Sequence, residues 1–174
     1  MTLPVDYIVA LGSDDDQRKL NARLKQAVIM MVDDEPIVMD VLETFLEEKG
    51  YYQFIKVDQS ELAIETIKRE EPDILLLDLK MPKVSGFDIL EIIRRDDDIK
   101  FLPVIVLTSS TDPANKLKAL ELGATEFLAK PVDASELALR LRNSLTIKAY
   151  HDQLAYYDTL TRLPNRKLFI ERVE

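Results

Sequence analysis

Apolar residues fall along this chain in short unbroken runs, each of strand length and each ending abruptly in polar chemistry. Val28 to Val32 ends in Asp33-Asp34, Ile74 to Leu77 ends in Asp78, and Val104 to Leu107 ends in Thr108-Ser109-Ser110. A shorter run, Glu126 to Ala129, ends in Lys130-Pro131. Runs without polar alternation belong to strands covered on both faces, as in parallel sheets. Tyr52 to Val57 is the most polar of the set and reads as an edge strand.

Between these runs the apolar positions change to helical spacing. Asp33-Asp34-Glu35-Pro36 opens a helix with acid at its positive end and proline in its first turn, and Val38, Val41, Leu42 and Phe45 give it an apolar face. Ser60 to Glu70 forms a second, capped by Asp58 or Ser60, with Leu62, Ile64 and Ile67 inward. A third runs from about Phe87 to Arg95 with Ile89, Leu90 and Ile93 buried, and Asp112-Pro113 opens a fourth that ends at Leu122-Gly123. Strand and helix thus alternate five times through short connections, which predicts a right-handed parallel α/β sheet with helices on both faces. In such sheets ligands gather outside the carboxyl ends of the strands, where Asp33, Asp34, Asp78, Thr108 and Lys130 would stand.

The two ends extend beyond this pattern. Residues 1–26 form a leader in which Leu20, Leu24 and Ala27 have helical spacing; it either packs on the domain or modifies a dimer interface. Asp133-Ala134-Ser135-Glu136 has capping-box spacing, and no glycine or proline follows until after Tyr157. A single helix of about 37 Å results at about 1.5 Å per residue. Leu137, Leu141 and Leu145 would pack on the sheet, while Ile147, Tyr150, Leu154 and Tyr157 make a second stripe. That stripe predicts pairing with the same helix of a second subunit, against the alternative of a helix folded back on its own domain.

Composition narrows the class. The chain has 174 residues, 47% hydrophobic and 32% charged, which suits one domain with an appendage. No apolar run approaches the roughly 18 residues of a membrane span, and Asp6 interrupts the early apolar segment without a preceding basic stretch, so no membrane partner and a cytoplasmic location are expected. Zero cysteines exclude disulfides and thiolate chemistry. A net charge of -9 argues against nucleic acid as a partner; much of the acid lies in Asp14-Asp16 and Asp96-Asp98, expected in solvated loops. Three carboxylates at one sheet edge repel unless a cation sits among them, and oxygen-only ligands select a hard ion such as Mg²⁺. The lone His151 reads as a solvated helical residue.

The acidic pair Asp33-Asp34, Asp78 followed by Met81-Pro82 and Gly86, Thr108, and Gly123-Ala124 leading to Phe127 and Lys130-Pro131 together resemble the receiver domain of two-component response regulators, over roughly residues 27–145. The resemblance implies a flavodoxin-like (βα)5 doubly wound sheet of order 2-1-3-4-5 with an extended C-terminal helix. It implies that Asp78 accepts a phosphoryl group from a histidine kinase, that Lys130 and Thr108 contact that group, and that Thr108 and Phe127 form a switch. It also implies Mg²⁺ held by Asp33, Asp34, Asp78 and the backbone carbonyl of Lys80. An aspartate-nucleophile phosphatase would want a second acid two residues after Asp78, and Lys80 occupies that place. A structural dimerisation unit that is never phosphorylated is a further alternative.

Residues 146–157 would then be a signalling and dimerisation helix. The last stretch, 158–174, resembles the opening of a GGDEF-type diguanylate cyclase domain through Asp158, Leu160-Thr161, Leu163-Pro164-Asn165-Arg166 and Phe169, with Arg162 where that family often has glycine. The cyclase signature itself does not occur in the chain, so no enzyme activity is expected of it. The expectation is a regulatory fragment whose parent is a diguanylate cyclase or, as Arg162 permits, a cyclic di-GMP phosphodiesterase.

Overall fold

The computed structural model describes residues 14–109 and 112–156. Five parallel strands, β1 (Val28–Val32), β2 (Gln53–Val57), β3 (Ile74–Asp78), β4 (Val104–Thr108) and β5 (Glu126–Ala129), form one sheet in the order β2-β1-β3-β4-β5. This is the flavodoxin-like order expected from the sequence. The helices are α1 (Asp14–Leu24), α2 (Pro36–Glu48), α3 (Ala63–Glu70), α4 (Gly86–Arg95), α5 (Pro113–Glu121) and α6 (Ala134–Tyr156).

Side chains along each strand alternate between two cores. Ile29, Met31, Ile74, Leu76, Ile105 and Leu107 face α1, α2 and α6, whereas Met30, Val32, Leu75, Leu77, Val104 and Val106 face α3, α4 and α5. Every residue of β3 and β4 is buried, because both faces of the central strands are covered. The edge strands are less covered, and β2 is the most polar of the five.

Local signals explain most boundaries. Asp112 caps α5 by accepting from the Ala114 N–H at 3.0 Å, and Pro113 occupies its first turn. Asp133 caps α6, accepting from the Glu136 N–H at 2.8 Å. Ser85 and Asp88 form a reciprocal capping box on α4 that the sequence reading did not include.

Four expectations are corrected. In α2 the buried face is Met39, Leu42 and Leu46, spaced at three and four residues, and it leaves Val41 47% exposed at its margin. The segment at Ser60 is a 3-10 turn, Ser60–Leu62, that leaves Leu62 43% exposed before α3 begins. Neither Asp58 nor Ser60 caps it: Gln59 is its N-cap, without a side-chain bond. Asp14 and Asp15 lie in the first turn of α1 instead of a loop.

The leader helix α1 packs on α6. Leu20 and Leu24 are buried in the same core as Leu145 and Ala149, with Tyr150 against it. Lys148 on α6 lies 3.9 Å from Asp73, whose other oxygen accepts from the Val28 N–H at 2.8 Å. The base of the emerging helix is therefore fastened to the starts of β1 and β3. His151 stacks on Phe101 with ring centroids 4.3 Å apart. Of the second stripe, Ile147 is 64% exposed and Tyr150 half-buried. The side chain of Leu154, residue Tyr157 and the whole 158–174 stretch lie outside the described residues. Among the described residues no helix is long and apolar enough to cross a membrane.

Candidate functional site

The order β1-β3-β4-β5 delivers a series of polar residues to one edge. Val32 is level with Leu77 and Leu107 with Asp78, so Asp33 and Asp78 emerge on neighbouring strands and Thr108 emerges beside them. The Lys130 N–H donates to the Thr108 carbonyl at 2.9 Å, continuing the ladder by one residue and aligning Lys130 with the acids.

Ligand oxygens of Asp33, Asp34 and Asp78 lie within 4.8 Å of one another. Asp33 is 4% exposed and Asp78 5%, with Asp34 more open at the rim. Lys130 Nζ lies 2.6 Å from Asp33 Oδ2 and 3.7 Å from Asp78 Oδ1. The other Asp33 oxygen accepts from the Glu35 N–H at 2.9 Å, in the turn that leads into α2. The Leu79 and Lys80 backbone N–H dipoles favour the ionised form of Asp78.

Electrostatics follow from this burial. Loss of solvent pushes the Asp78 carboxyl up to about 6, against the attraction of Lys130; the negative Asp33 raises it further, and the two backbone N–H groups oppose the rise. Burial draws the Lys130 ammonium down, but its bond to Asp33 and the charges of Asp33, Asp78 and Glu35 outweigh that effect and hold it above its ordinary value. The edge thus carries two buried acids, of which Asp78 resists ionisation, and one cation shared between them.

The loop after Asp78 is tightly held. Gly86 donates its N–H to the Leu79 carbonyl at 3.0 Å, and a Cβ at Gly86 would overlap the Asp78 carbonyl oxygen, so only glycine allows this approach. Lys83 adopts φ 69 and pairs with Glu61. Ser60 is buried and bonds this loop, donating to the Pro82 carbonyl at 2.7 Å and accepting from the Val84 N–H at 3.1 Å. Sequence reading missed Ser60 because a serine before a helix carries the same signature as an N-cap.

Thr108 is fully buried at the end of β4. Phe127 lies on β5 level with Val106, half-buried against the core of α3, α4 and α5, with Lys116 Nζ 5.9 Å from its ring centre. Every side chain predicted from sequence at the edge is therefore brought to the carboxyl ends of β1, β3, β4 and β5. His151 sits apart, on the α6 segment that meets Phe101.

A doubly wound parallel sheet whose carboxyl edge holds buried aspartates bridged by a lysine defines a class of signalling α/β domain. The profile of the response regulator receiver domain matches residues 29–142, and the chain belongs to that family. It is similar to the response regulator SaeR of Staphylococcus aureus, 38% identical over 129 residues, covering 72% of this chain and 54% of that protein. It is also similar to the transcriptional regulatory protein YvrH of Bacillus subtilis, 34% identical over 122 residues, covering 70% of this chain and 50% of that one. Among solved structures, a putative response regulator from Chloroflexus aurantiacus superposes with a TM-score of 0.66 at 32% identity, covering 69% of this chain and 98% of that one. The chain spans about half the length of the curated relatives it matches.

Proposed function

We propose that this chain is a phosphorylation-controlled switch in which Asp78 takes a phosphoryl group from a phosphohistidine on a partner kinase. The observation that carries the reading is the convergence of Asp33, Asp34 and Asp78 oxygens within 4.8 Å, with Lys130 against two of them. An Asp78 carboxylate oxygen attacks phosphorus; the P–O bond forms as the P–N bond breaks, and its electron pair stays on the imidazole nitrogen. Lys130 holds one phosphoryl oxygen as a point charge and Thr108 donates its hydroxyl to another.

The oxygen-only donor set of Asp33, Asp34, Asp78 and the Lys80 carbonyl suits Mg²⁺. When bound, that ion supplies positive charge to the transferring oxygens. What this chain contributes is the buried acid, the Leu79 and Lys80 N–H dipoles that favour its ionised form, and Lys130. Movement of Thr108 toward the phosphoryl group would let Phe127 turn inward and alter the face of α5, β5 and α6. Pairing of α6 between two copies, through Ile147 and the positions that follow it, would carry this change onward.

Two outputs are compatible with this reading. The residues Asp158, Leu160-Thr161, Leu163-Pro164-Asn165-Arg166 and Phe169 support a cyclic di-GMP output. The name of YvrH supports a transcriptional one. The natural product that carries this chain, incubated with GTP and Mg²⁺, forms cyclic di-GMP under the first reading; retention of specific promoter DNA without cyclic dinucleotide favours the second. For the receiver itself, the test is uptake of beryllium trifluoride in the presence of Mg²⁺, followed by the Thr108 and Lys130 amide resonances. Asp78→Asn should abolish the shifts, and shifts that persist in the variant would refute Asp78 as acceptor.

A further inference from the structure

The Ser60 hydroxyl lies in the connection between β2 and α3, yet both its bonds reach past β1 to the loop that follows β3. Ser60 is only 4% exposed, and it uses its donor on Pro82 and an acceptor site on Val84. Between those two anchors Lys83 is held at φ 69, a left-handed conformation uncommon outside glycine, and the Glu61–Lys83 ion pair lies alongside. Other bonds fix the two ends of this loop: Gly86 donates its N–H to the Leu79 carbonyl at 3.0 Å, and Ser85 caps α4. Ser60 and Glu61 secure the middle.

We propose that Ser60 is a positioning residue for the Asp78 site, holding the backbone of residues 80–84 so that the Lys80 carbonyl stays available to a cation beside Asp78. The inference rests on the phosphoacceptor reading above. A serine that only stabilised a surface turn would affect melting and leave ion affinity unchanged. A serine that positions Lys80 affects ion affinity at unchanged fold.

The experiment titrates Mg²⁺ alone into the whole chain, reading amide resonances of Leu79, Lys80 and Val84, and then measures phosphorylation by acetyl phosphate at fixed Mg²⁺. Ser60→Ala should bind Mg²⁺ roughly tenfold more weakly, the scale of losing an outer partner of a metal ligand, and should phosphorylate correspondingly more slowly at subsaturating Mg²⁺. Ser60→Thr, which keeps the hydroxyl, should restore both. If Ser60→Ala fails to fold by circular dichroism, Ser60→Cys, similar in size and weak as a hydrogen-bonding group, is judged by the same affinity criterion. Equal Mg²⁺ affinity in a folded variant and the parent overturns the positioning role. A parent chain that takes up neither Mg²⁺ nor phosphate overturns the phosphoacceptor reading itself, which separates the two failures.

Discussion

Replacing Asp78 by asparagine should stabilise the chain when divalent cations are chelated. The Asp78 carboxyl is raised from 3.8 to about 6 by burial and by Asp33. At about 1.4 kcal/mol per pKa unit, the ionised folded form carries a cost of about 3 kcal/mol at neutral pH. Asparagine removes that charge and keeps the shape, but it buries an amide NH2 beside the Lys130 ammonium, which lies 3.7 Å from the Asp78 carboxylate. A net gain of about 1–2 kcal/mol is expected, or about 3–6 °C in melting temperature for a chain of this size. The sign depends on pH. Between pH 3.8 and about 6 the folded parent binds more protons than the unfolded chain, so its stability falls as pH rises through this window. The advantage of Asp78→Asn is therefore full above pH 6 and vanishes below pH 4. Calorimetric melts in chelator across this range measure it, and Mg²⁺ should narrow the gap by stabilising the parent more. A variant less stable than its parent at pH 7.5 in chelator, or an advantage independent of pH, would refute the reasoning.

Lys130→Met leaves Asp33 and Asp78 buried without their shared cation, so it should cost about 2–4 kcal/mol in urea unfolding with chelator; saturating Mg²⁺ should recover part of the loss. Leu24→Ala removes a 2% exposed contact between α1 and α6 and should cost about 2–4 kcal/mol. In hydrogen exchange its mark should fall on the α6 amides around Leu145 to Ala149, with β3 little changed. Among the described residues the buried Tyr51 hydroxyl has no hydrogen-bond partner, and burial pushes its pKa up to about 12, against the pull of Arg142. Above pH 10 the unfolded chain loses the Tyr51 proton first, so parent stability should fall between pH 10 and 12 relative to Tyr51→Phe, which lacks that titration.

Periodicity carried the fold because both faces of the sheet are covered: unbroken runs such as Ile74 to Leu77 have one reading, and their polar endings then fall at one edge. The edge residues Asp33, Asp78, Thr108 and Lys130 were legible for the same reason, since each is the polar residue that closes an apolar run. Strand order was legible only through the whole constellation, because alternation does not say which strands are neighbours. Ser60 was illegible because its partners, Pro82 and Val84, are more than twenty residues away and its local signal is that of a cap. Val41 was misplaced because an apolar residue beside the buried stripe has the same spacing as one within it, and Leu62 because the 3-10 turn before α3 breaks the helical period. The docking of α1 on α6 was equally hidden, since Leu20 and Leu24 show an apolar face without naming what covers it.

The most direct measurement is to phosphorylate the chain with acetyl phosphate and Mg²⁺, trap the acyl phosphate by borohydride reduction, and map the reduced residue by peptide mass spectrometry. A single modified position, Asp78, is expected, with no trapping in Asp78→Asn and little without Mg²⁺. Modification at Asp33 or Asp34 in the parent, or none under conditions that label a known receiver, would contradict Asp78 as the acceptor.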